Sequence, residues 1–527
     1  MRSDAVSPRS RWHHGAARRA AVALLCGALA APPVWPQVRL PSLGESASDE
    51  VTVTTEKRLG EQIMREIRRD PAYLDDPVLQ EYLQSIWQPL VAAARKHGDI
   101  TPDIDATYAW EAFLVRDRSV NAFALPGGYV GVHLALIGLT GAADELASVL
   151  AHELSHVTQR HIARSVTTSN RQSLLALAGM IVGLLAAARA NNTDAAQAVV
   201  MGSQAAALQG QLNFSRDMER EADRIGMQVL GQAGFAPSGM ARMFERLDHA
   251  NRLVDNGSYP YLRSHPLTTE RVAEARGRQG SALGKLERPE HTLMQARARV
   301  LMDPTVPARQ RLQELDKASA SSADERLGLL YASALSSALL REFGRAADAL
   351  AQGERQIASA AVPARTVRTW SLLGVEIALA QGDAPLAAKR MAALSDDNSR
   401  PRLLLETQLA LALNDNARVK RQSELLQAWV SEQRSDALAW AALSSCAERQ
   451  GQALRAVRAL AESHAANGDL GGAIDRLRAG QRLARTGGAQ DFIESSVIDS
   501  RLRDLEGQCC RLLDELRAKN GSQRDPE

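Results

Sequence analysis

The sequence predicts a mostly helical α+β protein, in which a mixed N-terminal part with a small β-sheet precedes an all-α repeat part. Three observations predict this fold class. Apolar residues recur at helical spacing over residues 56–97, short apolar runs flank a Pro-Gly-Gly turn at residues 126–128, and turn residues recur at regular intervals beyond residue 312. The length of 527 residues allows two to four domains.

The composition is that of an ordinary globular protein, with 45% hydrophobic and 24% charged residues. Five arginines and one aspartate within residues 1–30 distort the formal net charge of +2, because the rest of the chain holds 58 basic and 60 acidic residues. A nearly neutral body with 4% aromatic residues argues against a dedicated nucleic-acid binder. We therefore expect no nucleic-acid partner.

The N-terminus is typical of a secretory signal peptide, because the arginines lead into an apolar run over residues 20–30. We expect cleavage near Ala30, with residues 31–54 as a linker, and an uncleaved membrane anchor is the alternative. After cleavage, Cys446, Cys509 and Cys510 remain, and three cysteines make no disulfide framework.

The elements of the N-terminal part follow from local patterns. We predict helices over residues 56–97, strands over residues 106–115, 121–125 and 129–133, and a long helix over about residues 142–165. The apolar run 174–188 is shorter than the roughly 20 residues of a membrane span. It is interpreted as a core helix, with contact to a membrane surface or a mobile cover over the site as alternatives.

The C-terminal part carries a period near 34 residues. Gly382, Asn416 and Gly451 lie 34 and 35 residues apart, and Trp370 and Trp440 lie 70 apart. Such a period in helix-turn-helix units resembles tetratricopeptide repeats, whose stacked helices form a protein-binding solenoid. We predict connecting helices over residues 286–325 and the repeat domain over residues 326–520, and a plain helical bundle is the alternative.

A metal site is predicted by His152-Glu153-Leu154-Ser155-His156 in the long helix. Histidines at i and i+4 lie on one helix face and can share one zinc ion, and Glu153 beside them can act as general base on water at the metal. Buried histidines with a structural role are the alternative, but they explain three adjacent polar groups poorly.

A third ligand is available in the segment 217–223. Helical spacing places Glu219 and Asp223 on one face, so that Glu219 can ligate the metal and Asp223 can accept a hydrogen bond from a ligand histidine. On spacing alone, a solvated run of charges explains the segment equally well.

Together, these motifs resemble the zinc metallopeptidases of family 48. The resemblance rests on residues 152–161, on Glu219 to Asp223, on residues 121–128 and on Ser264-His265-Pro266. It implies a zincin-type metallopeptidase domain over residues 55–285 that holds one zinc ion per chain, with Glu219 rather than Glu221 as the third ligand.

His265 lies in a loop before Pro266 and has three candidate roles. In a metallopeptidase it can stabilise the oxyanion, occupy the fourth position on the metal and keep the enzyme latent, or cap the loop structurally. Arg271 can anchor this loop or assist the oxyanion. His161, five positions after His156, is expected to point elsewhere on the helix and is left out of the site.

The strand that contains Asn121, Ala122, Phe123 and Ala124 is proposed to bind substrate. An edge strand beside a zinc cleft can pair with an extended peptide through backbone hydrogen bonds, which gives weak sequence preference.

A leader, this peptidase pattern and a repeat tail together resemble exported members of family 48. The resemblance implies a periplasmic metalloendopeptidase that degrades misfolded or stalled outer-membrane proteins and assists their assembly. Its expected partners are those unfolded or misassembled proteins and the outer-membrane barrel assembly machinery, and peripheral membrane association is left open. The alternatives are a non-catalytic assembly chaperone with a latent site, and an integral-membrane metalloprotease that uses the leader and residues 174–188 as spans.

Overall fold

The computed structural model describes residues 52–166, 216–253, 259–278, 289–395, 397–485 and 492–521. The predicted signal peptide, nearly all of the linker and the apolar run 174–188 lie outside the described residues. Within the described ranges, no helix is both long and apolar enough to cross a membrane.

The N-terminal part begins with two helices, α1 (Val53–Arg69) and α2 (Pro77–His97), separated by the short strand β1 (Tyr73–Leu74). The expected continuous helical region is therefore interrupted, because Pro71 cannot continue a helix and the residue before it, Asp70, is extended. Helix α2 starts at a favourable cap: the Asp76 side chain accepts the Leu79 N–H, and Pro77 occupies the first turn.

A four-stranded sheet follows, with strands β2 (Glu111–Val115), β3 (Ala122–Leu125) and β4 (Tyr129–His133) joining β1 in the order β1-β2-β4-β3. Strands β2 and β4 are parallel, and β3 and β4 form an antiparallel hairpin. The strand predicted over residues 106–115 was too long at its start, because residues Pro102–Thr107 form helix α3, with a proline in the first turn and two acidic residues near its N-terminus.

The motif helix is shorter than predicted. After helix α4 (Leu134–Leu139), helix α5 (Ala143–Thr158) carries the two motif histidines, and every one of its residues is buried. Arg160 then adopts a left-handed φ of 51°, and a separate helix α6 (His161–Val166) follows. The backbone therefore changes direction between His156 and His161.

The remaining helices of the N-terminal part and the connecting region lie within residues 216–253, 259–278 and 289–313. They are α7 (Arg216–Gln232), α8 (Ser238–Leu253), α9 (Pro260–Ser264), α10 (Thr269–Arg278), α11 (Pro289–Met302) and α12 (Val306–Gln313). Helices α7 and α8 both pack against α5, so the motif helix lies at the centre of this part.

The C-terminal part consists of consecutive helices that pack against their neighbours in pairs. The pairs are α13 (Ala323–Leu339) with α14 (Phe343–Ser359), α15 (Ala364–Gln381) with α16 (Ala384–Ala392), α17 (Arg400–Ala412) with α18 (Asn416–Glu432), α19 (Ala437–Arg449) with α20 (Ala453–Ala466), and α21 (Leu470–Ala484) with α22 (Phe492–Gly521). The predicted fold class is confirmed, as a mostly helical α+β part followed by an all-helical part. The assignment of these pairs to tetratricopeptide repeats and the domain boundaries remain predictions.

One hydrophobic core joins the two parts. Trp87 of α2 and Leu150 of α5 belong to the same cluster of buried residues as Tyr331, Trp370 and Leu409 of the repeat helices. The site described below is therefore built on a scaffold that the repeat helices help to form.

Candidate metal centre

Helix α5 brings His152 and His156 together. Both imidazoles are buried, at 2% and 0% exposure, and their Nε2 atoms lie 3.0 Å apart. This arrangement follows from the i, i+4 spacing, which the sequence predicts.

Helix α7 supplies Glu219, whose carboxylate is 2% exposed. Its Oε1 lies 3.3 Å from Nε2 of His156, and its Oε2 lies 3.5 Å from Nε2 of His152. The structure thus brings together the three ligands expected from the sequence.

His265, at the end of α9, completes the cluster. Its Nδ1 lies 3.0 Å from Oε1 of Glu219 and 3.3 Å from Nε2 of His152. One ligand atom from each of the four residues lies within 4.8 Å of all the others. A tetrahedral zinc ion with bonds of about 2.0–2.1 Å separates its ligand atoms by roughly 3.3–3.4 Å, so the observed distances fit four ligands around one zinc ion.

Glu153 provides a second test of the fit. Its side chain is fully buried, and neither carboxylate oxygen has a hydrogen-bond partner among the described residues. The nearest charged contact is Nε2 of His265, at 3.4 Å from Oε1. A buried carboxylate without partners is costly, so this group is arranged to meet a ligand that enters the site.

Asp223 and Arg271 surround the ligands. Oδ1 of Asp223 lies 2.8 Å from Nδ1 of His152, and Arg271 donates to both oxygens of Asp223 at 2.6 and 2.8 Å. Arg271 also lies 2.8 Å from Oε2 of Glu219 and donates to the carbonyl oxygen of Pro266, in the loop after His265. The guanidinium therefore ties the His265 loop to the helix that carries Glu219.

Positive neighbours keep both carboxylates ionised. Burial alone would raise the pKa of Glu219, but the charges of His265 and His152 and hydrogen bonds from His152 and His156 hold this pKa well below its usual value. Burial opposes ionisation of Asp223 as well, and hydrogen bonds from Arg271 and His152 lower its pKa. An ionised oxygen ligand, Glu219, beside imidazoles suits a divalent cation, and the ionised Asp223 supports the His152 ring.

His161 belongs to this centre, which corrects the expectation that it points elsewhere. Its Nδ1 lies 2.8 Å from Nδ1 of His156, and its Nε2 lies 3.1 Å from a carboxylate oxygen of Glu221. The expectation assumed one continuous helix, whereas the break at Arg160 returns His161 toward His156. Burial lowers the pKa of His161 to about 4, against opposing contributions from Glu221. In the sequence, His161 stands five positions after His156, which marks it as a further candidate. No residue pattern indicates the backbone turn that brings the two rings together.

The comparisons with known proteins agree with this geometry. Residues 77–279 match the model of peptidase family M48. The chain carries an M48 peptidase domain. Zinc is the cofactor of this domain, and the protein is a metalloprotease.

Several known proteins are similar to this chain over different lengths. A putative beta-barrel assembly-enhancing protease of Vibrio cholerae is 38% identical over 260 residues, which is 48% of this chain and 51% of that protein. The beta-barrel assembly-enhancing protease of Escherichia coli is 29% identical over 89% of this chain and 92% of its own length. The mitochondrial metalloendopeptidase OMA1 of Saccharomyces cerevisiae is 30% identical over 36% of this chain and 53% of that protein.

Helix α1 lies before the M48 match but contributes to its geometry. Glu56 of α1 is buried and contacts the guanidinium of Arg160 at 2.6 and 2.7 Å. This ion pair anchors the residue with the left-handed backbone, so α1 supports the turn that places His161. Sequence reasoning did not anticipate this contact, because the two residues are 104 positions apart.

The proposed substrate strand lies at the edge of the sheet. Strand β3 pairs with β4 on one side and has no strand neighbour on the other among the described residues, and it packs against α5. The Asn121 amide oxygen beside it is buried without a hydrogen-bond partner in the described part of the chain. The M48 domain thus presents an open strand edge and an unpaired acceptor next to the motif helix.

Proposed function

We propose that this protein is an exported, periplasmic zinc metalloendopeptidase that degrades misfolded or stalled outer-membrane proteins and assists their assembly. In this proposal, the repeat helices bind clients or the insertion machinery. The proposal rests chiefly on the buried cluster of His152, His156 and Glu219 beside the unpartnered carboxylate of Glu153. The similarity to beta-barrel assembly-enhancing proteases along nearly the whole chain supports the client class.

The residues take separate roles in this proposal. His152, His156 and Glu219 hold the zinc ion, which supplies Lewis-acid chemistry that activates water and polarises a carbonyl. Glu153 acts as the general base: it accepts a proton from the attacking water and delivers it to the leaving amine. Asp223 orients His152, and Arg271 holds Asp223, Glu219 and the His265 loop in position.

Strand β3 is proposed to hold the substrate in an extended form. The N–H of His133 donates to the carbonyl oxygen of Asn121, which makes that pair a hydrogen-bonded one. Because hydrogen-bonded and open pairs alternate along an antiparallel ladder, the backbone groups of Ala122 and Ala124 are directed away from β4. An unfolded chain can therefore add as a further strand, which folded proteins cannot do readily.

The proposal is tested by changing Glu153 to Gln in the full-length mature protein. We expect cleavage of an unfolded outer-membrane β-barrel protein to fall by a factor of about 10²–10⁴, because the general base is lost. Zinc content should remain at one ion per chain, since the ligands are intact. Rates of fragment formation and metal analysis measure the two effects.

The matched control is Glu61→Gln, which removes one exposed carboxylate from α1. Glu61→Gln should cleave the unfolded barrel protein at the same rate as the unmodified protein. The folded barrel protein should resist cleavage by either protein. Equal cleavage by Glu153→Gln and the unmodified chain would overturn the catalytic assignment. Cleavage of casein but not of unfolded barrel proteins would overturn the client class and leave the peptidase.

One observation favours a second candidate, an assembly chaperone with a latent site. Nδ1 of His265 lies where a fourth ligand would lie, within 3.0 Å of Glu219 and 3.3 Å of His152. In that candidate, Glu153→Gln changes no measured property of the protein. Prevention of aggregation of unfolded barrel proteins, with no cleavage by either form, would favour it.

A further inference from the structure

The proposed mechanism leaves one buried titratable group beside the metal site without a role. His161 is fully buried, and it contacts His156 through Nδ1 and Glu221 through Nε2, at 2.8 and 3.1 Å. Glu221 in turn accepts a hydrogen bond from Arg164 at 2.9 Å. These contacts form a continuous chain from a partly exposed carboxylate to the ring of a zinc ligand.

The directions of the hydrogen bonds in this chain follow from chemistry. A carboxylate only accepts, so Nε2 of His161 donates its proton to Glu221. A neutral imidazole carries one ring proton, so Nδ1 of His161 is then an acceptor. The proton in the short contact between the two rings therefore belongs to Nδ1 of His156, and Nε2 is the unprotonated nitrogen of that ring.

That nitrogen is the atom that faces the other ligands. Nε2 of His156 lies 3.0 Å from Nε2 of His152 and 3.3 Å from Oε1 of Glu219. His152 has a carboxylate, Asp223, directly at its Nδ1. His156 is connected to the carboxylate of Glu221 through the ring of His161.

We propose that His161 and Glu221 are positioning residues that keep the Nδ1 proton on His156 and direct its Nε2 lone pair at the zinc ion. This inference rests on the proposed assignment of His156 as a ligand. Arg164 fixes Glu221, and the Glu56–Arg160 ion pair fixes the backbone turn that brings His161 against His156.

The test compares two substitutions of His161 in the full-length mature protein. His161→Leu fills the buried space but offers no acceptor, whereas His161→Asn is smaller but places an amide oxygen near the position of Nδ1. If His161 only packs, Leu should be tolerated at least as well as Asn. If His161 accepts the His156 proton, Asn should be better than Leu.

The readout is zinc affinity, measured by competition with a chelator of known affinity, with the melting temperature of the zinc-free protein as a check on folding. We expect His161→Leu to bind zinc about 10–100-fold more weakly, which is typical for loss of a residue that orients a ligand. His161→Asn should recover most of that loss. Equal zinc affinities of the two variants, or tighter zinc binding by His161→Leu, would overturn the proposal that His161 accepts the His156 proton.

Glu221→Gln tests the same hydrogen-bond chain outside the buried site, because the Glu221 side chain is 30% exposed. It should weaken zinc binding several-fold, since a neutral amide accepts the His161 proton more weakly than a carboxylate and can turn its NH2 group toward the ring instead. Asp217→Asn is the matched control, because it removes an exposed carboxylate from the same helix. If Glu221→Gln and Asp217→Asn weaken zinc binding equally, Glu221 acts only through its negative charge. That result would overturn its role in positioning His156 through His161. If the unmodified chain binds no zinc, the ligand assignment fails instead.

Discussion

His265 directs its two ring nitrogens at two different carboxylates of the site. Nδ1 lies 3.0 Å from Glu219, and Nε2 lies 3.4 Å from Glu153. A ring in this position could supply a fourth ligand to the metal and occupies space beside Glu153, the proposed general base. Both effects oppose entry of substrate, so the geometry favours the latent role over the oxyanion role for the conformation described.

We therefore expect His265→Ala to raise the rate of cleavage of unfolded protein several-fold, with zinc still bound through three ligands. Rates at saturating substrate, with zinc content measured in the same sample, check this expectation. A fall of about 10²–10³ in kcat would contradict it and indicate that His265 stabilises the oxyanion. Ser264→Ala, at the last residue of helix α9 directly before His265, is the control and should leave the rate unchanged.

The residues of the site were predictable to the extent that they depend on helical periodicity. His152, Glu153 and His156 lie within one helix, and Glu219 and Asp223 share a face of another, so spacing alone grouped each set. His161 was not predictable in this way, because its position depends on a left-handed backbone at Arg160. A non-glycine residue rarely adopts that conformation, and no glycine or proline marked the break.

At the level of elements, strand β3 pairs with one strand, β4, among the described residues. It was predicted from an apolar run ahead of a Pro-Gly-Gly turn, and Gly127 and Gly128 do adopt φ values of 79° and 89°. Its place at the sheet edge was a proposal from sequence, because strand order depends on distant pairing. The parallel pairing of β2 with β4 leaves β3 outermost.

We expect Ala124→Pro to weaken substrate binding without unfolding the hairpin. The Ala124 N–H is directed away from β4, so its loss removes a hydrogen bond to substrate and none to the partner strand. One such bond corresponds to a rise in KM of about threefold to tenfold. Ala124→Ser, which keeps the N–H, is the control. A KM unchanged by proline, with normal melting temperature, would remove β3 from substrate binding.

At the scale of the whole molecule, buried and part-buried ion pairs join the N-terminal part to the C-terminal helices. Arg297 of α11 donates to both oxygens of Asp76 and of Glu376, at 2.7–3.0 Å. Arg400 of α17 bonds both Asp75 and Asp436. Two of these ion pairs join partners that are 221 and 325 residues apart, so no local sequence pattern indicates them. The sequence therefore predicted two parts, but not the ion pairs that connect them.

The two parts also share their hydrophobic core. Tyr331 and Trp370 of the C-terminal helices lie in one buried cluster with Leu150 of α5. The shared core and the buried arginines therefore make one mechanical unit.

Arg297→Met tests this union. Arg297 is 4% exposed, and its removal leaves the buried carboxylate of Asp76 and the part-buried carboxylate of Glu376 without their cation. We expect the free energy of unfolding to fall by about 3–5 kcal/mol. Urea unfolding followed by tryptophan fluorescence and by circular dichroism should show one shared transition, because Trp87, Trp370 and Trp440 report on both parts.

The pH dependence of this loss separates charge from packing. Burial already raises the pKa of Glu376 despite Arg297, and removal of the cation raises it further above the unfolded value. A carboxyl group with a raised pKa in the folded protein stabilises the fold fully below the pKa it has in the unfolded chain. This stabilisation is lost as the pH rises through the pKa of the folded state. The difference between Arg297→Met and the unmodified protein should therefore be smaller at pH 5 than at pH 8. Arg478→Met, in an exposed pair with Glu506, should cost less than about 1 kcal/mol at either pH. Two separate unfolding transitions in the unmodified protein would contradict the prediction that the two parts unfold together. If the loss of unfolding free energy in Arg297→Met does not depend on pH, Arg297 contributes through packing alone.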